Sequence, residues 1–265
     1  VTREQVLGIG VDAIGPAEAT RIVIGAATNR SPLSATALAV HGLMTGWRDP
    51  GFRGVLARTD LVLADGQPVR WALNWLFSAD LHERVYGPKL MLSLCEEAAA
   101  NGIEVFLYGS TDEVLAGLAA NLNNLFPDIR IAGISPSTFG PLDRAGQYEL
   151  AGRIEASGAG LCFVGTGCPR QEVFAERMAP LIGIPVVAVG AAFDFHAGFK
   201  EMAPAWMQDA GLEWLFRFSR EPRRLWRRYL ALNPAYLLLL VGQRLGFPVE
   251  RNGRSGDSTE DSIPG

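Results

Sequence analysis

Asp65 closes a run of four apolar residues, Leu61-Val62-Leu63-Ala64, and is followed by Gly66. The pattern is that of a buried strand ending on a carboxylate. In an open α/β sheet, ligands sit in the crevice outside the carboxyl ends of the strands. A carboxylate there is carried by a rigid element and can take a proton from a bound hydroxyl. A purely local role is also open: Asp is favoured at a helix N-cap and Pro at the first helical position, so Asp65 could cap a helix starting near Gln67-Pro68.

Three further stretches offer groups suited to phosphates and hydroxyls. Gly109-Ser110-Thr111 follows the apolar run 105–108 and reads as a strand–turn–helix corner that presents backbone N–H groups to an anion; a tight turn alone would look the same. Gly165-Thr166-Gly167-Cys168-Pro169-Arg170-Gln171-Glu172 combines flexible glycines, a helix-opening proline and a first turn holding Gln171 and Glu172, so amides, a helix dipole and a donor–acceptor side chain converge. Glu172 could simply cap, whereas Gln171 has no comparable local role. Asp194, in Gly190-Ala191-Ala192-Phe193-Asp194-Phe195, is expected at the end of another strand, where a carboxylate suits ribose hydroxyls or a second cap.

Other chemistries are disfavoured. No GxGxxG fingerprint and no GxxxxGK[ST] loop occurs, which argues against dinucleotide binding and P-loop ATP hydrolysis. His41, His82 and His196 are scattered without metal-ligand spacing, and no Asp-x-Asp occurs, so no metal and no other cofactor is expected. Cys95, Cys162 and Cys168 are odd in number and form no CxxC pair, which fits a reducing cytoplasm. The first residues lack the charged-then-apolar run of a signal peptide, and the apolar run 235–242 is too short to span a bilayer.

Charge singles out the C-terminal part. Residues 217–230 hold six arginines (217, 220, 223, 224, 227 and 228) and one glutamate, a local charge of +5 that leaves −9 for the remainder of a chain at −4. Trp214, Phe216, Phe218, Trp226 and Tyr229 interleave with them. On a helix opening at Glu221-Pro222, Arg224, Arg227 and Arg228 share one face, and Leu225, Tyr229 and Leu232 another. Such a helix suits an anionic membrane surface or a phosphate. Nucleic acid is not expected, because the basic charge is confined to one short segment of an acidic body.

The elements that must position these groups follow from periodicity. Apolar runs over 61–66, 103–109, 129–135, 161–167 and 185–190 alternate with helical spacing over 67–77, 89–100, 112–126, 144–156 and 171–181, and a short extended piece precedes a helix over 38–47. Alternation of this kind predicts an α/β fold, a Rossmann-like, doubly wound, mostly parallel sheet, with a C-terminal basic amphipathic helical appendage. The expected division is a core over 1–203, an Arg- and aromatic-rich appendage over 204–250 and a Gly-, Ser- and acid-rich disordered tail over 251–265.

Taken in order, Asp49-Pro50-Gly51-Phe52-Arg53, Leu63-Ala64-Asp65-Gly66, Glu83-Arg84-Val85-Tyr86-Gly87, Gly165 to Glu172, Phe193-Asp194-Phe195, Gly211-Leu212-Glu213-Trp214-Leu215 and Glu221-Pro222-Arg223-Arg224 resemble the WecG/TagA/CpsF glycosyltransferase family over nearly the whole folded chain. The resemblance implies an inverting transferase that moves a sugar from a UDP donor to an undecaprenyl-diphosphate-linked sugar at the cytoplasmic membrane face, in the synthesis of teichoic acid or another surface polysaccharide. It places the general base on Asp65, donor or acceptor contacts on Arg84 and Gln171, and site arginines on Arg217, Arg224 and Arg227. Together with Thr36, Gly109, Ser110, Gly167 and Asp194 these form the expected site. The family's Thr-x-Asn becomes Thr36-Ala37-Leu38 here, which implies an altered donor or acceptor. A non-catalytic nucleotide-sugar or lipid-binding protein is the rival. Apolar patches near the appendage could support a homo-oligomer.

Overall fold

The structure, a computed structural model, describes residues 1–137, 142–220 and 232–248. Eight strands form one sheet: β1 (Arg3–Val6), β2 (Ile9–Asp12), β3 (Leu33–Leu38), β4 (Leu61–Ala64), β5 (Glu104–Tyr108), β6 (Arg130–Ser135), β7 (Leu161–Val164) and β8 (Pro185–Ala188). Their order is β1-β2-β4-β3-β8-β7-β5-β6. Only β1 and β2 pair antiparallel; every other pairing is parallel. The doubly wound α/β sheet expected from the sequence is therefore present, with an antiparallel hairpin added at one rim.

Period-two alternation divides each central strand between two cores. Leu61 and Leu63 join one apolar cluster with α1 (Pro16–Thr28), α5 (Gly87–Ala100), α6 (Asp112–Leu125) and α9 (Ala192–His196). Val62 and Ala64 face the other side, with α2 (Val40–Arg48), α3 (Pro50–Arg58) and α4 (Gln67–Phe77). That second face continues under α7 (Arg144–Ala156) and α8 (Arg170–Ile182) against Phe106, Cys162 and Val186. With both faces covered, β4, β7 and β8 are buried at every residue, as parallel strands require.

The N-terminal hairpin, α1 and α3 are absent from the periodicity reading. Residues 3–12 are short, partly charged strands joined by a two-residue turn, Leu7-Gly8, in which both residues have positive φ. Asp49, first of the Asp-Pro-Gly run, caps α3 by accepting from Gly51 N–H at 2.8 Å and Phe52 N–H at 3.3 Å. Leu38 ends β3 rather than opening the following helix, which starts at Val40.

Beyond β8 come α10 (Ala205–Asp209), α11 (Glu213–Arg220) and α12 (Asn233–Arg244). From α12, Tyr236 and Leu240 enter the same cluster as α2 and α4. Tyr236 donates its hydroxyl to Pro68 O at 3.1 Å, and Gln243 bonds to Gln5 O at 2.6 Å and to Leu7 N–H at 2.8 Å. The C-terminal end of α12 is thus stitched to the first strand. The expected basic helix face (Arg224, Arg227, Arg228) and the expected tail over 251–265 lie outside the described residues.

The hairpin joins the parallel sheet at one Cα register pair, Asp12 with Leu63. Asp12 is buried, takes two hydrogen bonds from Arg3 at 2.9 and 2.7 Å, and accepts from Val62 N–H at 2.7 Å. Removing the carboxylate leaves a buried amide and a partly buried guanidinium unmatched. Asp12→Ala should cost about 3 kcal/mol, read as a lowered urea midpoint at constant slope.

Candidate functional site

The carboxyl ends of the seven mutually parallel strands, β2 to β8, share one edge of the sheet, its crest, and the expected site residues are distributed over it. Asp65 directly follows β4; its N–H donates to Leu38 O at 3.3 Å, so its backbone is the last rung between β3 and β4. It does not cap α4, whose N-cap is Gly66 without a side-chain hydrogen bond. Instead Oδ1 accepts from Gly87 N–H at 3.0 Å, across the crest at the first residue of α5. The carboxylate therefore faces the positive end of a helix dipole. Gly87 is where the backbone must approach closely: a Cβ would lie 3.0 Å from Val189 O.

Two recesses meet at Asp65. One, of about 540 Å³, runs over the ends of β3, β8 and β7 and is lined by Asp65, Ser110, Gly167, Gln171, Asp194 and Lys200, among others. The other, of about 140 Å³, lies on the side of α4 and α11 and is lined by Asp65, Gln67, Arg84, Glu213, Trp214 and Asn233, among others. Ala39, His41 and Asp65 border both. Sequence reasoning passed over His41, whose isolation from other histidines carries no signal; only the fold brings it beside Asp65.

The larger recess gathers Ser110, Gly167, Gln171 and Asp194 with Asp65, whereas Thr36 and Gly109 are among the residues behind its wall. Gly109 has φ +116°, donates its N–H to Ser135 O at 3.0 Å and would place a Cβ 3.0 Å from the Gly165 backbone. It sets the corner from which Ser110, itself at φ 60°, enters the recess. Asp194 requires a correction: it sits in the first turn of α9, six residues past β8, rather than at a strand end. It is ion-paired with Lys200 at 2.6 Å, so this part of the wall offers an acid and a base together.

Gln171 has a local role the sequence did not suggest. Its Oε1 accepts from Gly167 N–H at 3.2 Å and its Nε2 donates to Glu172 Oε1 at 3.0 Å. Thr36, fully buried, donates its hydroxyl to the same oxygen at 3.1 Å. Glu172 is thus no simple cap; it is a buried carboxyl beneath the floor that ties β3 to α8 and holds the glycine loop. Burial raises its pKa above the ordinary 4.5, offset in part by the hydrogen bonds from Gln171 and Thr36. Leu38, where the resemblance expects Asn, is 1% exposed and lies on the same floor.

Arg84 is committed to the C-terminal segment. It pairs with Glu213 Oε2 at 2.7 Å, lies 4.2 Å over the Tyr86 ring, and Tyr86 donates its hydroxyl to Glu213 Oε1 at 3.1 Å. Both partners are largely buried, so this triad docks α11 against the wall of the smaller recess. Arg217 lies on α11; Arg224 and Arg227 lie outside the described residues. Elsewhere, burial pushes the Cys95 and Cys162 thiols up to about 12, which makes them poor nucleophiles. The His196 pKa is lowered by burial, partly offset by its hydrogen bond to Pro88 O. Among the described residues no group of three or more His, Cys, Asp or Glu could hold a metal ion, and no helix is long and apolar enough to cross a membrane.

A family model, "Glycosyl transferase WecG/TagA/CpsF family", matches residues 4–249. The chain belongs to that glycosyltransferase family. It is 33% identical over 213 residues, 80% of each chain, to the N-acetylglucosaminyldiphosphoundecaprenol N-acetyl-beta-D-mannosaminyltransferase of Bacillus spizizenii. For a WecG/TagA/CpsF glycosyltransferase, the meeting of two recesses at one carboxylate is the feature that bears most directly on chemistry.

Two measurements check these contacts. A group whose pKa is raised by folding contributes its full stability below the unfolded value and loses it as pH climbs through the folded value. Wild type should therefore lose stability relative to Glu172→Gln as pH rises above 4.5, seen in urea midpoints taken at successive pH values. A double-mutant cycle of Arg84→Ala and Glu213→Ala should give a coupling of about 1–3 kcal/mol, from urea unfolding of the four proteins.

Proposed function

We propose that this glycosyltransferase moves a hexose, N-acetylmannosamine-like or another, from a UDP-sugar to an undecaprenyl-diphosphate-linked sugar, with inversion, at the cytoplasmic face of the membrane during cell-surface polymer synthesis. The observation that carries the reading is the position of Asp65 at the junction of two recesses. A transfer reaction must bring two substrates to one proton acceptor, and here each substrate has its own approach. The activity for which the Bacillus spizizenii relative is named supports the acceptor class.

The chemistry follows from that placement. An acceptor hydroxyl is a poor nucleophile until its proton leaves, so the Asp65 carboxylate takes the proton as the oxygen bonds to the anomeric carbon. The bond from that carbon to the diphosphate oxygen breaks on the opposite face, and a single displacement inverts the centre. UDP departs with new negative charge. Arg217, Arg224 and Arg227 are the groups assigned to neutralise it, which asks nothing of a chelated cation. The Gly165–Gly167 loop, whose Gly167 N–H is held by Gln171, forms part of the wall of the larger recess, which is taken as the donor side. Ser110 and the Asp194–Lys200 pair add polar contacts there.

The arginines of 217–230 would also attract anionic lipid, drawing the enzyme to a lipid-linked acceptor. Leu38 favours a second reading, a nucleotide-sugar-binding protein without turnover, because it replaces an amide with an apolar group beside Asp65.

A panel of UDP-sugars offered with a GlcNAc-diphosphoryl-lipid acceptor, read by product mass, separates the two: no product with any donor sinks the transferase reading. Asp65→Asn should lower turnover about 10²–10⁴-fold while UDP affinity by calorimetry stays unchanged. Near-normal turnover would reduce Asp65 to a tie between β4 and α5.

A further inference from the structure

A third space lies beyond Arg84. It is a cavity of about 470 Å³ beside α4 and the start of α5, and its wall carries Arg70, His82, Glu83, Arg84, Lys89 and Gln208, among others. Gln67 and Arg84 border both this cavity and the smaller recess at Asp65, so the two spaces adjoin.

Its wall is electropositive. Arg84 is matched by Glu213. Among the described residues, Arg70 and Lys89 form no ion pair with a carboxylate and Glu83 is the one acid on the wall. Arg70 is fixed in place, because its Nη1 donates to Leu81 O at 3.1 Å and also to His82 O. Lys89 stands in the first turn of α5, where a cation opposes the helix dipole. Local helix preference therefore does not explain it, and the ammonium adds to the positive potential at that end.

The surroundings are also short of hydrogen-bond partners. Gln67 Oε1, Arg70 Nε and Gln208 Oε1 are buried and have none among the described residues. Three such atoms around one cavity are unusual in a folded protein, where buried polar groups are nearly all paired.

We propose that this cavity holds the diphosphate of the lipid-linked acceptor, with Lys89 and Arg70 as its cationic contacts. The inference rests on the acceptor class assigned above. One sugar ring separates the attacking hydroxyl from that diphosphate. If the hydroxyl meets Asp65 in the smaller recess, the diphosphate belongs in the adjoining space rather than the same one. A diphosphate diester carries two negative charges, which Lys89 and Arg70 match. Arg84, held by Glu213, forms the partition that the acceptor sugar must pass. Donor and acceptor diphosphates would thus be bound by different cations on different sides of Asp65.

Lys89 is exposed, so its replacement leaves the core untouched, whereas Arg70 also supports the 81–82 carbonyls. The test is steady-state kinetics of full-length protein, wild type against Lys89→Ala and Lys89→Glu. The acceptor probe is GlcNAc-diphosphate bearing a short, soluble alkyl chain. Lys89→Ala should raise the acceptor KM about tenfold, and Lys89→Glu further, as expected for loss of a charge-assisted contact. The donor KM and the calorimetric UDP affinity should not move. An unchanged acceptor KM overturns the proposal, and so does a rise confined to the donor KM or a weakened UDP affinity, which would place the nucleotide's diphosphate here. If wild type forms no product, the transferase reading fails. Calorimetric titration of the same acceptor probe into wild type and Lys89→Ala then decides the cavity on its own: about tenfold weaker binding by the variant supports it, while equal or absent binding overturns it.

Discussion

The hydrogen bond from Gly87 N–H to Asp65 joins the end of a buried strand to the first residue of a helix 22 positions later. Much of the site hangs on that contact. It fixes the orientation of a carboxylate that would otherwise cap its own following helix. It also draws the 84–87 segment across the crest, where Val85 N–H donates to Ala64 O at 2.9 Å, and so carries Arg84 and Tyr86 to where α11 can dock on them. One bond thus sets both the carboxylate shared by the two recesses and the platform for the C-terminal wall.

Below the floor a second layer does related work. Glu172, Thr36 and Gln171 link β3, α8 and the glycine loop through one carboxylate oxygen. Polar groups so deeply buried are costly unless matched, and here the bonds to Glu172 Oε1 hold the glycine loop that lines the larger recess. With Leu38 beside this network, the floor combines a rigid polar support with an apolar surface.

Much of the fold was legible because parallel strands buried on both faces write continuous apolar runs, and their carboxyl ends collect ligand-facing residues. That rule brought Asp65, Ser110, Gly167 and Gln171 to one recess. It misplaced Asp194, since the turns after β8 coil into α9 before reaching the recess. The partnership of Arg84 with Glu213, 129 positions apart, leaves no periodic trace. Nor does the position of His41, which depends on the offset between β3 and α2. The N-terminal hairpin escaped notice for a different reason: four-residue strands that carry charged residues such as Arg3, Glu4 and Asp12 resemble loops until a neighbouring sheet pairs with them.

The stitch between Gln243 and the first strand has a consequence for how the protein behaves in company. An exposed strand edge is a template on which a foreign strand can add. At the β1 rim, the Gln243 side chain already occupies Gln5 O and Leu7 N–H, so that margin is partly sealed by α12. At the opposite rim β6 is only partly covered, with Ile134 41% exposed. Crowding and partial unfolding therefore threaten the two margins unequally: strand-by-strand growth would start from β6, and loosening of α12 would open a second front.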